Sequence, residues 1–388
     1  MSRIVEFIAD ETNGKAYKSH KFCFDAELKL PSLSYEDPKE FTIEKQKLGE
    51  TDDKLKTTKD LSNFAKQLSI EKPLFTYFLD GSRRIYKVDD IEYSQRLFPV
   101  VAGQVGVACC QRLSAGEFKK VNLKCFPVLA LPSIAVTGQK HEKQYIGHLI
   151  DKINKLDKMK RFGVGIHDLL IYKSDLKDGE GDDYMDRGTA KIQDKMIECE
   201  KQIVDELAKK NFLNEDNYLI KDGTLQYGTA TNSNFKELAV YKSNYRCVVG
   251  VSKSFNPEFS KNHKGKSNAS AIAQLPLFHR TPAIRYYTSR IGDVHFCIWY
   301  VRIREKKYTD SPFSGILKLE KVLVSNDEIE YGLQSSEIDR ITANIINERN
   351  PVCYGKDQRW ANHLYPVYLT ESYIKSQYLG DVHFLNLF

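Results

Sequence analysis

The order of strand-like and helix-like segments is the feature that most constrains the fold of this chain. From Pro73 onward, stretches of strand length rich in β-branched and aromatic residues follow one another along the sequence. They lie at Leu74 to Leu79, Arg84 to Val88, Phe98 to Cys110 and Val121 to Val136. Short successive segments of this kind predict strands in meander order.

Two helical segments separate these strands from a second group. Residues 139–163 have apolar side chains at helical spacing with a basic outer face, and residues 183–210 have an inner apolar stripe. Strand-like segments then return at 218–220, 247–251, 294–303 and 316–324, and helical spacing resumes after Ser325. This order predicts a layered α/β or α+β domain built on a mixed sheet.

Bulk composition limits the class of protein. The chain has 388 residues, of which 41% are hydrophobic and 28% charged, as in soluble globular proteins. The segment Met1 to Asn13 has no continuous apolar run and is not expected to be a signal peptide. The least polar stretch, Phe98 to Cys110, is too short and interrupted to cross a bilayer, so no membrane partner is expected. Eight cysteines without a C-x-x-C pair predict reduced thiols and a cytoplasmic location.

The amino-acid composition changes near residue 70, and this change indicates the domain organisation. Residues 1–70 are charge-rich and irregular, and they are predicted to form an N-terminal arm. Residues 71–388 contain no internal repeat or low-complexity linker. They are predicted to form one domain with an insertion at about 139–185.

Two Asp-Gly pairs follow apolar strand-like runs. The first run ends in Asp80-Gly81, and the second passes Lys221 into Asp222-Gly223. Asp-Gly is also a common turn dipeptide, which is the simpler interpretation of either pair. A carboxylate at the tip of a buried strand, followed by a glycine at which the backbone turns away, is also an arrangement that holds hard divalent cations against a phosphate.

The long helix between the two pairs offers three glutamates, Glu198, Glu200 and Glu206. Glu200 borders the apolar stripe and is preferred, although a helix glutamate is usually solvated. With Asp80 and Asp222 it would supply oxygen ligands for Mn²⁺ or Mg²⁺ in two-metal phosphodiester cleavage.

Basic residues provide candidate phosphate contacts, and the net charge of +6 permits a nucleic-acid partner. Lys253 follows the apolar strand 247–251 and could hold a phosphate as a point charge. The segment 139–163 and the loop Lys261 to Lys266 could contact DNA. The alternative for each is an ordinary solvated surface.

Five short motifs in this order resemble the NurA family of nucleases. They are FLDGSRR at 78–84, IKDGTLQYG at 220–228, VVGVSKS at 248–254, WYVRI at 299–303 and YPVYLTESY at 365–373. The resemblance spans about three hundred residues and implies an α/β, RNase H-like fold, a mixed β-sheet flanked by helices with helical insertions.

The resemblance also implies roles for individual residues. Asp80 and Asp222 match the metal-binding aspartates of the family, and Tyr365 matches the tyrosine of its C-terminal motif. The family glutamate lies on the helix before the second Asp-Gly pair, which again indicates Glu200. Arg83, Arg84, Lys253 and Tyr373 are predicted to bind substrate, and Lys253 and Tyr365 are also predicted to act in catalysis by positioning the phosphate.

One position departs from the family pattern. Tyr373 stands where the family usually has a histidine, and a phenol exchanges protons poorly near neutral pH. His363 and His383 lie in the same block and are candidates for that role.

The activity implied is a Mn²⁺- or Mg²⁺-dependent DNase acting on single strands or duplex ends, in DNA end processing or antiphage defence. The implied assembly is a homodimer docked on a HerA-type hexameric ATPase. Two alternatives remain open at this point: a catalytically weak DNA-binding or assembly subunit of such a complex, and another RNase H-like module of the Argonaute type.

Overall fold

A computed structural model provides the structure of the protein. It describes residues 4–23, 49–175, 183–225, 235–261, 266–288, 294–309, 311–353 and 359–388. Four segments with sequence predictions therefore lie partly outside the described residues: the N-terminal arm, the insertion at about 139–185, the motif at 220–228 and the loop 261–266.

Thirteen strands of the described residues join in one sheet. They are β1 Lys15–Tyr17, β2 Phe22–Cys23, β3 Lys59–Asp60, β4 Phe75–Tyr93, β5 Arg96–Arg112, β6 Phe118–Pro132, β7 Asp168–Tyr172, β8 Tyr218–Asp222, β9 Val248–Ser252, β10 His279–Arg280, β11 Ile284–Thr288, β12 Val294–Arg302 and β13 Ile316–Val322.

Eleven α-helices accompany the sheet in the described part of the chain. They are α1 Ile4–Glu11, α2 Ser62–Leu68, α3 Glu142–Asn154, α4 Asp157–Phe162, α5 Tyr184–Lys209, α6 Phe235–Asn244, α7 Ala269–Ala273, α8 Asn326–Tyr331, α9 Ser335–Asn347, α10 Tyr365–Ser376 and α11 Asp381–Leu385.

The sheet is mixed. Its main path runs β3-β10-β12-β13-β9-β8-β4-β5-β6-β7, with β1 and β2 pairing with β4 and β11 pairing with β12. The pairs β4–β8, β8–β9 and β6–β7 are parallel, and the other pairs are antiparallel. Because β8 runs parallel to β4 and β9, the carboxyl ends of β8 and β9 lie side by side next to Asp80 of β4. The candidate site lies at this end of the strands.

Helices α5 and α10 cover opposite faces of the long strands. A Cβ at Gly103 of β5 would meet Ile192 of α5, whereas a Cβ at Gly106 would meet Ile374 of α10. Positions three apart on a strand point to opposite faces. The predicted α/β fold with a mixed sheet flanked by helices is confirmed, and it is compatible with an RNase H-like fold.

One local prediction is wrong. The chain does not turn away at Gly81, and the predicted strands 74–79 and 84–88 are parts of one strand, β4. Gly81 pairs with Val107 of β5 in an antiparallel ladder that runs from Tyr77 to Tyr93 of β4 with one irregularity between Lys87 and Asp89, so the strand continues through Asp80 and Gly81. Asp80 therefore lies within a strand and not at its tip.

Two other segments also differ in detail from the sequence predictions. The basic segment 139–163 forms two helices, α3 and α4, and the strand β7 follows them within the predicted insertion. The described parts of the predicted arm are integrated into the fold, because β1 and β2 pair with β4 and β3 pairs with β10. All eight cysteines are free thiols. No helix among the described residues has both the length and the apolar character needed to span a membrane.

Candidate functional site

Asp80 is a buried carboxylate in the middle of β4, with 4% of its surface exposed. Burial raises its pKa well above the usual range, and the nearby charges of Asp222 and Glu371 raise it further. A carboxylate in such surroundings is stabilised by a proton or a cation.

Asp222 lies at the end of β8, beside β4. The parallel register pairs Leu79 with Lys221, which brings the next residue of each strand, Asp80 and Asp222, to the same edge. Gly223 then has a φ of +81°, a conformation that favours glycine, and its N–H donates to Val251 O at 2.8 Å. The second Asp-Gly pair is thus a true strand end followed by a turn.

Lys253 follows β9 and lies between the carboxylates. Its Nζ is 2.9 Å from Asp222 Oδ2 and 3.7 Å from Glu371 Oε2, and only 3% of the side chain is exposed. Burial acts to lower the pKa of Lys253, but Asp222, Glu371 and Asp80 raise it above the ordinary value. Three carboxylates therefore share one buried ammonium group.

Glu371 was not predicted from the sequence. It lies on α10, and although burial acts to raise its pKa, Lys253 and Lys375 lower the pKa below the usual range. Its position on the helix could have identified Glu371. It lies four residues after Val367 and three before Ile374, and both of those residues are buried, so Glu371 lies on the same face of the helix. A carboxylate on this stripe faces the sheet, as Glu200 does on α5.

Glu200 is the buried member of the three predicted helix glutamates, with 2% of its surface exposed. Its Oε2 lies 3.1 Å from Lys221 Nζ, and burial raises its pKa although Lys221 acts to lower it. Glu198 instead pairs with Lys195 at 3.0 Å, and Glu206 accepts from Asn122 Nδ2 at 2.7 Å.

Gly81 makes room for Glu200. A Cβ at residue 81 would lie 2.5 Å from Glu200 Oε1, a distance at which something must shift. Glu200 approaches β4 from the α5 face, whereas Glu371 belongs to α10 on the other face. Glu200 and Glu371 thus approach the neighbouring strands β4 and β8 from opposite faces of the sheet.

This crowding gives a testable expectation for Gly81→Ala. We expect the substitution to displace Glu200 and to destabilise the protein by about 1–3 kcal/mol, the usual cost of overpacking. Gly147→Ala on α3 is the control, because a Cβ there meets nothing within 4 Å. Alanine at that helical position should raise stability by up to about 1 kcal/mol. Urea denaturation of both variants measures the difference, and equal effects would contradict the close approach.

The chemistry of the donor set suits a hard divalent cation, since all four acidic groups offer carboxylate oxygens. The acidic, histidine and cysteine side chains of the described residues, however, do not meet in any group of three that could hold a metal ion. Lys253 and Lys221 lie among the carboxylates and neutralise part of their charge. The oxygen ligands that these residues offer are of the type that Mn²⁺ or Mg²⁺ binds. For a cation to bind, the ion pairs of Lys221 and Lys253 would have to rearrange.

The predicted tyrosines lie on α10. Tyr365 begins this helix, and its ring packs edge-on against Phe118 at 6.4 Å. Tyr373 is partly buried two turns further along the same helix. Tyr365 therefore belongs to an aromatic group with Phe118 and Phe78.

The two candidate histidines differ in position. His363 is 1% exposed, its ring contacts Tyr368 edge-on at 5.6 Å, and its charge influences the pKa of Glu371. His383 is exposed on α11. Of the two, His363 lies near the carboxylates.

The predicted basic contacts are spread over the sheet. Arg84 shares the face of Asp80, where its guanidinium lies 5.4 Å from the Tyr378 ring centre and 3.4 Å from Asp381 Oδ1. Arg83 precedes Arg84 on the same strand, so its side chain points to the opposite face of the sheet, which α5 covers. Helix α3 packs against α1 and β7, and β7 is three strands away from β4. In the loop 261–266, residues 262–265 lie outside the described part of the chain.

Comparison of the sequence with models of protein families gave no match. Comparison with curated proteins also gave none. The grounds for assigning a function are therefore the site geometry and the sequence motifs.

Proposed function

We propose that the chain is a metal-dependent DNA nuclease of the NurA type, cutting single strands or duplex ends. The observation that carries the proposal is the cluster of Asp80, Asp222 and Glu371 around the buried ammonium of Lys253. Metal-dependent phosphodiester hydrolysis uses such a concentration of carboxylates to hold cations against the negative substrate.

Asp80 and Asp222 would hold the Mn²⁺ or Mg²⁺ ions together with Glu200, which approaches β4 from the α5 face. Glu371, which shares Lys253 with Asp222, is a further oxygen donor on the α10 face. When bound, the metal supplies Lewis-acid stabilisation of the phosphate and a deprotonated water as nucleophile. Lys253 would bind a neighbouring phosphate oxygen through its ammonium group, and Glu371 would orient that group. Tyr365, whose ring packs against Phe118, would position the phosphate together with Lys253, and Arg83, Arg84 and Tyr373 complete the proposed substrate contacts.

The proposed assembly is the one that the resemblance implies. A homodimer would dock on a HerA-type hexameric ATPase that feeds DNA to it, in the cytoplasm, for end processing or antiphage defence. An adjacent gene for a HerA-like ATPase would support this assembly.

A second candidate function is a DNA-binding or assembly subunit with little catalysis. Two observations favour it: Tyr373 replaces the family histidine, and Lys253 and Lys221 already pair with Asp222 and Glu200. In this alternative the carboxylate cluster has a structural role, with lysines as its permanent counter-ions.

The two functions are separated by a cleavage assay on labelled single-stranded and linear duplex DNA. We expect cleavage with Mn²⁺ or Mg²⁺, none with a chelator, and a large loss in Glu200→Gln. Glu198→Gln on the same helix is the matched control, because Glu198 is exposed and pairs with Lys195 and Gln202 of its own helix. DNA binding without cleavage under every metal condition would select the second function.

A further inference from the structure

Another buried carboxylate, Glu320 of β13, contacts the turn that follows Asp222. Glu320 is fully buried, and its Oε1 lies 2.7 Å from Lys318 Nζ. Its Oε2 accepts from Leu225 N at 2.8 Å and from Thr224 Oγ1 at 2.9 Å. The Glu320 carboxylate thus accepts hydrogen bonds from the hydroxyl of Thr224 and from the backbone N–H of Leu225, two successive residues of the turn.

Glu320 reaches this turn from across an intervening strand. Glu320 pairs with Gly250 of β9, and Gly250 pairs on its other side with Lys221 of β8. A Cβ at Gly250 would lie 2.8 Å from Leu225 Cγ and 3.0 Å from Gly223 O. The absence of a side chain at residue 250 therefore lets the turn fold back over β9 toward Glu320.

Two further contacts also hold the backbone of the turn. Gly223 N donates to Val251 O at 2.8 Å, and Lys221 Nζ donates to Thr224 O at 3.2 Å. Burial acts to raise the pKa of Glu320, but Lys318 and the donors of the turn lower it below the usual range. Glu320 is thus an anionic acceptor, and hydrogen bonds to charged groups are the stronger ones.

We propose that Glu320 is a positioning residue, which fixes the turn 222–225 and so holds the Asp222 carboxylate beside Asp80. The inference rests on the proposed function for its catalytic consequence, but the positioning itself can be measured without metal or DNA. Glu320 accepts hydrogen bonds from Thr224 and Leu225 of the turn, so the role assigned to it is positioning.

The test compares Glu320→Gln with Glu50→Gln. Glu50 is a matched control, because it is also a buried carboxylate that accepts from a backbone N–H, that of Ala283 at 2.7 Å, and pairs with a basic residue, Arg280, at 2.8 Å. It does so beside β10, away from the turn 222–225. Amide hydrogen exchange of the segment 218–225 gives the metal-free result, and calorimetric titration with Mn²⁺ gives the metal affinity.

In Glu320→Gln we expect faster exchange in the segment 218–225 and Mn²⁺ affinity lower by about 10- to 100-fold, as for residues that orient metal ligands. Glu50→Gln should leave both values at the wild-type level even if it lowers the melting temperature. Unchanged exchange at 218–225 in Glu320→Gln would overturn the inference, as would faster exchange with wild-type Mn²⁺ affinity. If the wild-type protein itself binds no Mn²⁺, the proposed function fails, and the exchange result alone decides whether Glu320 positions the turn.

Discussion

Asp80→Asn is expected to abolish metal-dependent cleavage and, in chelator, to raise the melting temperature of the protein. The variant loses a proposed metal ligand, and we expect activity to fall by more than about a hundredfold, since residues that merely orient ligands cost about 10- to 100-fold. The gain in stability follows from the environment of the carboxylate, which is buried beside Asp222 and Glu371. Asparagine keeps the shape and removes the charge that this environment disfavours.

The stability difference between Asp80→Asn and the wild type should depend on pH. The folded-state pKa of Asp80 is raised above 3.8, so the folded protein binds a proton that the unfolded chain releases. The contribution of Asp80 to stability is therefore favourable below about pH 4 and is lost as the pH rises through the folded-state pKa. Thermal melts in chelator across this pH window measure the effect. A variant that cleaves DNA at the wild-type rate, or melts below the wild type at neutral pH, would contradict this role of Asp80.

Lys253→Met is expected to cause the largest loss of stability. The substitution leaves Asp80, Asp222 and Glu371 without the buried ammonium that they share. Breaking a buried pair by removing one partner costs about 3–5 kcal/mol. Urea denaturation measures this loss.

Lys375→Met provides the matched control for Lys253. Lys375 pairs with the same Glu371 at 3.1 Å, but its side chain is 42% exposed. An exposed pair contributes about 0–1 kcal/mol, so this variant should remain close to the wild type. Equal destabilisation by the two methionine variants would show that burial of Lys253 is not what stabilises the cluster.

Much of the fold could be predicted from local patterns. The apolar stripe of residues 183–210 predicted the long helix α5, and the same stripe favoured Glu200, which is the buried glutamate of that helix. Such predictions succeed because helical periodicity determines which side chains face the core.

The first Asp-Gly pair could not be interpreted correctly from the sequence. Glycine after aspartate predicts a turn, but Gly81 is needed for the approach of Glu200, a residue far away along the chain. Glu371 and Lys221 were missed for a related reason. The spacing on α10 indicates that Glu371 faces the core, but Glu371 pairs with Lys253, and Lys221 pairs with Glu200, across elements that are distant in sequence, and only the fold brings these pairs together.

The most direct test of the metal site is an anomalous diffraction measurement on crystals grown with Mn²⁺. We expect an anomalous peak within about 2.1 Å of carboxylate oxygens of Asp80 and Asp222, a distance typical of small hard cations. The peak should disappear in crystals of Asp80→Asn. A map without a peak between these two residues, in crystals where manganese is bound elsewhere or nowhere, would contradict the proposed site.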